Sequence, residues 1–486
     1  MKRRAFLALL AALLLISIAC LLRPVTRVHR EEGSGAQFPS AQGTRTPALT
    51  AGAIHPALRG TDGELPLLCT GTPAPSTTPV LPITRSPAPV TPLQPTAPHA
   101  STPTLAAPTL LVWPYLGETT TTSVTIAWAT DRAADGEVRY GTDGAYAHVL
   151  SATQQVYDGM HWYAATLSGL TAGTRYYYRV CAGGYDLTPW SEVAFTTAPA
   201  DAASRLTFAV LGDSRPASEV TLQPSRAARE LAAELGRHAF DLALLTGDMV
   251  GSGGICRGEE SAWKQYLQQY LALYRESLGH VPFYPCLGNH ELNGGNCGYQ
   301  GYREVYFLPR NAPAGDEEEY YSFDWGNAHF LALDSNQAFG VGSRQYNWLV
   351  HDLQASQATW KFVFFHHPAY SSGHHGSTRA VQDALVPLFE QYGVDMVFNG
   401  HDHHYERTCP IRAGQCSSAQ EGGVVYYVTG GGGAPLYKTG RDWFSAYSES
   451  RYHFILVEVE GSRLRVDAVD AQGNIFDTYV LEKARR

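Results

Sequence analysis

The sequence predicts an α/β domain preceded by a small all-β sandwich, and three observations carry this prediction. From about residue 205 onward, apolar runs of strand length alternate with stretches of helical spacing, which is typical of α/β domains. Residues 108–199 contain short alternating segments separated by turns, which is typical of a β-sandwich. The length of 486 residues, with 44% hydrophobic residues, is enough for two or three folded domains.

The chain begins with a segment that has the properties of a targeting sequence. Three basic residues follow Met1, and the stretch from Ala5 to Leu22 is almost entirely apolar. We therefore interpret residues 1–30 as a signal peptide or a membrane anchor, with lipidation of Cys20 as a third interpretation. All three predict that the folded part lies outside the cytoplasm, secreted or tethered to the surface, and an uncleaved anchor would tether it through residues 5–22.

Residues 31–107 have the composition of a linker. They are rich in Pro, Thr, Ser, Ala and Gly, and Phe38 is their only aromatic residue. Such a segment buries too little apolar surface to offset the entropy of ordering it. We predict a disordered spacer between the targeting segment and the folded domains.

Residues 108–199 form the predicted sandwich. The stretch TTTTSVTIAWAT alternates polar and apolar residues around Trp128, and Tyr176, Tyr178 and Val180 share one face of a later strand. This pattern resembles a fibronectin type III domain. Nothing in it indicates catalysis.

The eight cysteines fit an oxidising compartment. Cys409 and Cys416 flank a short loop and are candidates for a local disulfide, and Cys256 and Cys297 are a second candidate pair. Cys286 lies in an apolar strand and is predicted to be a buried thiol. Free structural thiols are the alternative at each position.

Five apolar strands of the α/β region end in potential metal ligands. Glycine precedes the ligand in four of the five, which permits tight turns close to a bound ion. The candidates are Asp213, Asp248, Asn289 with His290, His366, and His401 with His403. Because Asp, Asn and His side chains converge, the sequence predicts Fe, Zn or Mn rather than Mg or Ca.

These five motifs, GD, GD, GNHE, HHPAY and GHDHHYER, resemble those of the calcineurin-like metallophosphoesterases. HHPAY and GHDHHYER are most similar to the purple acid phosphatases, which also carry a fibronectin-like domain before the catalytic one. The resemblance covers residues 108–486. It implies that residues 204–486 form two packed β-sheets flanked by helices, with a two-metal centre at the strand ends.

The resemblance also implies a role for each candidate. Asp248 bridges both metals, Asp213 and His403 bind the first metal, and Asn289, His366 and His401 bind the second. A hydroxide shared by the two ions attacks a small phosphate ester in line. The implied substrate is a phosphomonoester. The net charge of −9 indicates no general nucleic-acid-binding surface.

The sequence departs from the purple pattern on the first-metal side. The purple enzymes have tyrosine three residues after the bridging aspartate, where this chain has Gly251, and many other family members have histidine where it has Arg215. The first metal is therefore one protein ligand short, and water or another side chain would complete it. Without a tyrosinate ligand, a purple colour is not expected. Arg215 is interpreted either as a phosphate contact or as a structural salt bridge.

Further histidines surround the motifs. The resemblance implies that His290 faces the substrate. His374 and His375 follow HHPAY in a glycine-rich loop, and either one is a candidate general acid; the alternative is a plain surface loop. Strand alternation predicts that His367 faces away from the metals, and His404 is predicted to be structural or solvent-facing.

Asp402 and Glu406 lie beside the histidines of GHDHHYER. Either one could orient a ligand histidine, and the alternative for each is a solvated side chain.

Three functions fit these observations. The first is an extracytoplasmic metal-dependent phosphatase acting on phosphomonoesters. The second is a phosphodiesterase or nucleotidase with the same dinuclear centre. The third is a surface-binding protein with a weakened centre, motivated by the missing first-metal ligand. The sequence carries no signal for an oligomeric state.

Overall fold

The structure is a computed structural model, which describes residues 69, 106–200, 205–216, 223–252, 261–267, 271–293 and 298–483. The targeting segment, the linker apart from Cys69 and residues 106–107, and the candidate pair Cys256 and Cys297 lie outside the described residues. Among the helices that are described, none has the length and hydropathy that a membrane span requires.

An all-β sandwich comes first. One sheet has the strand order β1-β2-β6-β5, and the other has the order β4-β3-β7-β8 with β9 paired to β7. Trp128 and Tyr178 are fully buried between the sheets, and the Trp128 ring stacks on Tyr163 with centroids 5.2 Å apart. The strands are β1 (Leu110–Thr119), β2 (Ser123–Thr130), β3 (Gly136–Gly141), β4 (His148–Ser151), β5 (Thr153–Tyr157), β6 (Met160–Ser168), β7 (Arg175–Ala182), β8 (Tyr185–Asp186) and β9 (Ala194–Thr196).

Each of the two folded domains takes part in a disulfide bond. Cys69 is bonded to Cys181, 112 positions away, and its backbone N–H donates to Gly184 O at 2.8 Å. This bond attaches a point of the predicted linker to the sandwich, which the sequence did not indicate. The predicted Cys409–Cys416 disulfide is confirmed, and so is the buried thiol of Cys286.

Two larger sheets form the second domain. Their strand orders are β12-β11-β10-β22-β23-β24 and β13-β14-β15-β16-β20-β17-β21, with β18 and β19 forming a separate hairpin. The strands are β10 (Leu206–Leu211), β11 (Leu242–Leu245), β12 (Phe283–Pro285), β13 (Tyr321–Trp325), β14 (Ala328–Ala332), β15 (Trp360–Phe364), β16 (Met396–Asn399), β17 (Tyr405–Thr408), β18 (Ile411–Arg412), β19 (Gln415–Cys416), β20 (Val425–Thr429), β21 (Ser445–Glu449), β22 (His453–Glu460), β23 (Arg463–Asp470) and β24 (Ile475–Glu482).

Helices accompany these sheets. Ser225 caps the first of them, because its side chain accepts the N–H of Ala228 at 3.0 Å. The helices are α1 (Arg226–Leu235), α2 (Ala262–Gln265), α3 (Leu271–Leu278), α4 (Asn289–Leu292), α5 (Gly298–Val305), α6 (Arg344–Ala355), α7 (Arg379–Ala384) and α8 (Val386–Tyr392).

The two sheets pack face to face through aromatic side chains. The Phe208 ring of β10 lies 5.2, 5.0 and 6.1 Å from Phe330, Phe362 and Phe398 of the other sheet. In one sheet β10, β11 and β12 run parallel, and in the other β14, β15, β16 and β20 do. The predicted two-sheet α/β fold is confirmed, and the carboxyl ends of its parallel strands carry the candidate ligands.

The sandwich contacts the second domain near α3. Tyr178 Oη donates to Gly279 O at 2.9 Å, and Trp190 Nε1 donates to Glu276 Oε2 at 2.9 Å. The Arg275 guanidinium lies 4.4 Å from the centre of the Trp113 ring. In each of these contacts, one residue lies in the sandwich and the other lies in the second domain.

Candidate metal centre

Three of the candidate ligands stand on left-handed backbone. The φ angles of Asp213, Asp248 and His401 are 55°, 54° and 71°, a conformation that costs a non-glycine residue about 1–2 kcal/mol. Hydrogen bonds hold it: Asp213 N donates to Gly247 O at 3.0 Å, and His401 N donates to Asp213 Oδ2 at 2.9 Å. Strain of this kind clusters at functional sites.

One group of ligands gathers around Asn289. Its Oδ1 lies 3.0 Å from His366 Nε2 and 3.0 Å from His401 Nδ1. His366 Nε2 also lies 3.3 Å from Asp248 Oδ1. These are the residues that the sequence assigns to the second metal.

The protonation of this group fits a cation. His366 Nδ1 lies 2.9 Å from Thr246 O, and a carbonyl only accepts, so Nδ1 carries the proton and Nε2 presents a lone pair. Burial lowers the pKa of His366 well below its ordinary value, and burial with neighbouring imidazoles lowers the pKa of His401 to about 2. The neutral His366 lone pair therefore faces the lone pairs of Asn289 Oδ1, and a cation between them satisfies both.

A second group contains Asp213, Asp248 and His403, whose ligand atoms lie within 4.8 Å of one another. His403 Nδ1 donates to Pro435 O at 2.7 Å, which turns Nε2 toward Asp213 Oδ1 at 3.3 Å. Burial raises the pKa of Asp213 to about 6, against the opposing effect of His403. Because Asp248 contacts both groups, the centre can hold two adjacent ions.

Glu291 supports the centre from behind and has no role in the sequence prediction. Its buried carboxylate accepts the backbone N–H groups of Asp248, Met249 and Gly288 at 2.9, 2.7 and 2.6 Å. It thereby joins the turn after β11 to the turn after β12. The GNHE motif contained this signal, since its acid follows the candidate ligand by two positions.

His290 and Arg215 both lie beside Asp248. His290 Nδ1 donates to Gly251 O at 2.6 Å, and its Nε2 lies 3.9 Å from Asp248 Oδ2. Gly251, which replaces the purple-type tyrosine, thus positions a histidine through its carbonyl. Arg215 Nε lies 3.6 Å from Asp248 Oδ2 and has no hydrogen-bond partner within the described structure.

The loop with His374 and His375 lies against the group around Asn289. The His375 ring stacks on His401 with centroids 4.1 Å apart, and the His374 ring lies 5.0 Å from His375. Of the two candidate acids, His375 is the one in contact with a candidate ligand.

Asp402 and Glu406 hold that loop instead of orienting a ligand histidine. Asp402 accepts the N–H of His375 at 2.8 Å and the hydroxyl of Ser371 at 2.5 Å. Glu406 accepts the N–H of Ser372 at 2.7 Å. His404 is fully buried, in agreement with the structural interpretation of this residue.

The prediction that His367 faces away from the metals is wrong. Its ring lies 4.6 Å from that of His401, and one ring nitrogen each of His366, His367 and His401 falls within a 4.8 Å cluster. Strand β15 ends at Phe364, so the alternation of faces along a strand does not extend to His366 and His367.

Tyr437 is a further neighbour that the sequence did not reveal. Its ring lies parallel to His403, with an interplanar angle of 11° and centroids 4.1 Å apart, and its backbone N–H donates to His403 O at 2.9 Å. It follows the glycine run 430–433.

Comparison with known families agrees with this geometry. Residues 206–405 match the family "Calcineurin-like phosphoesterase", and residues 114–198 match "Purple acid Phosphatase, N-terminal domain". The fold and the site are thus those of a calcineurin-like phosphoesterase domain over residues 206–405. Within that class the chain is similar to the purple acid phosphatases, while the fibronectin-like interpretation of the sandwich stays a prediction.

Individual relatives show the extent of the likeness. Purple acid phosphatase 15 of Arabidopsis thaliana is 30% identical over 292 residues, covering 55% of this chain and 52% of the relative. Acid phosphatase type 7 of Mus musculus is 25% identical, covering 75% of this chain and 88% of the relative. The structure of purple acid phosphatase PPD1 from yellow lupin (Lupinus luteus) superposes with a TM-score of 0.64 at 21% identity, covering 77% and 74% of the two chains. The chain spans about half the length of several curated relatives that it matches.

Proposed function

We propose that this protein is an extracytoplasmic, metal-dependent phosphatase that hydrolyses phosphomonoesters. One observation carries the proposal: two groups of candidate ligands converge on Asp248, one around Asn289 and one around Asp213. A carboxylate between two groups of ligands can serve both ions of a two-metal centre. The small phosphate ester is the substrate class that this chemistry serves.

The proposed ligands divide as the two groups do. Asn289, His366 and His401 would hold one ion, Asp213 and His403 would hold the other, and Asp248 would be shared between them. The carboxylate, amide and imidazole donors fit Fe, Zn or Mn. A metal pair held by these residues would supply an activated water as the nucleophile and would neutralise charge on the phosphate oxygens.

Other side chains handle the substrate. Arg215 lies beside Asp248, its Nε makes no hydrogen bond to any described residue, and its guanidinium can donate to a phosphate oxygen. His290 is held by Gly251 O so that Nε2 faces the same space. His375, stacked on His401, is placed to protonate the departing alcohol as general acid.

The proposed location outside the cytoplasm rests on two features. The apolar stretch 5–22 has the composition of a signal or anchor. The disulfides Cys69–Cys181 and Cys409–Cys416 belong to an oxidising compartment. Fractionation of the producing cells, with detection of the protein outside the cytoplasm, tests this part of the proposal.

Removal of central ligands tests the centre. Asp248→Ala and His401→Ala should each abolish hydrolysis and lower the metal content measured by elemental analysis. The matched control is His351→Ala, because His351 is an exposed histidine on α6. Wild-type turnover in Asp248→Ala would refute the two-metal proposal.

A substrate panel tests the reaction class. An aryl phosphate, a nucleotide and a bis-aryl phosphate compared on the purified protein should show preference for the monoester. Faster cleavage of the diester would favour the phosphodiesterase alternative. Fewer than two ions per chain, together with no hydrolysis of any ester, would favour the weakened surface-binding protein.

A further inference from the structure

His367 is a further histidine close to the second-metal group, and it has no role in the proposed function so far. Its ring centre lies 5.0 Å from that of His366 and 4.6 Å from that of His401. It is only partly buried, unlike His366. It therefore borders both the candidate ligands and the space that a substrate would enter.

Ser335 determines which nitrogen of His367 faces that space. Its Oγ accepts the backbone N–H of His367 at 3.1 Å and lies 2.8 Å from Nδ1 of the same residue. Since Nδ1 is engaged with Ser335, Nε2 is the ring nitrogen left for the centre.

The contact with Ser335 also bears on the proton of His367. Ser335 Oγ and His367 Nδ1 lie 2.8 Å apart, and either the hydroxyl or the ring N–H can be the donor. When Ser335 donates to Nδ1, neutral His367 carries its own proton on Nε2. A protonated Nε2 has no lone pair for a metal but is a hydrogen-bond donor.

We propose that His367 is a substrate-binding residue whose Nε2–H donates to a phosphoryl oxygen held beside the second-metal group. The inference deepens the proposed phosphatase function and rests on it. It distinguishes His367 from its neighbour: His366 offers a lone pair to the ion, and His367 offers a proton to the substrate. Ser335 acts through His367 as a positioning residue.

Binding of inorganic phosphate to the metal-loaded protein tests the proposal. His367→Ala should weaken phosphate binding about tenfold or more, the loss expected for a hydrogen bond to a charged group, while the metal content stays at the wild-type value. His367→Gln should recover most of the affinity, because its amide nitrogen reaches near the position of Nε2. Ser335→Ala should cause a smaller loss.

The opposite outcomes are distinct. Loss of one ion per chain in His367→Ala would make His367 a metal ligand and overturn the proposal, as would unchanged phosphate affinity. If the alanine variant does not fold, the same measurements of phosphate affinity and metal content are made on His367→Gln, which keeps a side chain of similar size. Failure of the wild type to hydrolyse any ester would refute the proposed function, whereas phosphate binding tests His367 independently of turnover.

Discussion

At the scale of single residues, the centre depends on backbone that leaves no room for larger side chains. Gly400 precedes the candidate ligand His401, and a Cβ at Gly400 would meet Asp213 Oδ2 and approach His366 Nδ1 to 3.1 Å. Glycine at this position therefore allows the segment after β16 to pass directly behind the ligands.

Gly400→Ala should lower metal affinity by about tenfold or more, a loss comparable to that on changing a ligand's supporting contacts. The reason is that the new methyl group displaces Asp213 from its position beside His403. Metal titration of the apo-protein measures the effect. Gly340→Ala is the control, because no atom lies within 4 Å of the corresponding Cβ; equal affinities in the two variants would contradict the prediction.

The candidate ligands could be predicted from the sequence more readily than the residues around them. Asp213, Asp248, Asn289, His366 and His401 each follow an apolar strand, and parallel strands in one sheet end at the same edge. His367, Ser335 and Tyr437 lie in irregular segments, where no period relates position in the chain to position in space. Their placement depends on contacts between distant loops, which a single sequence does not display.

At the scale of elements, Asp402 connects two segments of the centre. It lies between His401 and His403 after β16, and it accepts N–H groups of His375 and Gly376 in the loop after β15 at 2.8 and 3.1 Å. Adding a Cβ to Gly373 would bring it to 2.7 Å from Asp402 Cγ. The two segments are therefore held in close contact by one buried carboxylate.

Asp402→Asn should lower kcat about tenfold or more while leaving the metal content unchanged. The amide can accept on one side only, so the loop loses part of the charge-assisted bonding that holds His375 over His401. Steady-state kinetics with elemental analysis checks this. Asp442→Asn is the control, since Asp442 is an exposed aspartate; a fall in metal content instead of kcat would show that Asp402 supports the ligands directly.

A second connection links a strand pair to a helix. His329 of β14 bonds to Asp324 of β13 at 2.7 Å and to Asp352 of α6 at 2.6 Å. Burial alone lowers the pKa of His329, but its two aspartate partners outweigh burial and raise the pKa from 6.5 to about 9. Protonated His329 thus stabilises the folded state.

This stabilisation should depend on pH in a defined direction. Because the folded pKa is raised, the contribution is complete below about pH 6.5 and is lost as the pH rises through about 9. We expect the free energy of unfolding to fall by about 3 kcal/mol more in the wild type than in His329→Gln over this interval. Urea unfolding at a series of pH values measures it, and parallel curves for the two proteins would exclude the effect.

At the scale of the whole molecule, the sandwich and the two-sheet domain were each predictable, but their connections were not. Alternation around Trp128 and the apolar runs before each ligand specify layers that must bury one or both faces. The pairing of Cys69 with Cys181 joins positions 112 residues apart, and Trp190 contacts Glu276 of α3. No local sequence pattern predicts either contact.

The Cys69–Cys181 disulfide changes what proteolysis of the linker would do. A single cut between residues 70 and 107 leaves the N-terminal piece covalently joined to the sandwich, whereas a cut between residues 23 and 68 separates it. Limited proteolysis with mapping of the cut site should therefore give one band without reductant and two bands with it for cuts of the first kind; Cys69→Ser should give two bands in both conditions. If the chain is tethered through residues 5–22, a protease alone would release the folded domains only by cutting between residues 23 and 68. Release by a cut between residues 70 and 107 would also require a reducing agent.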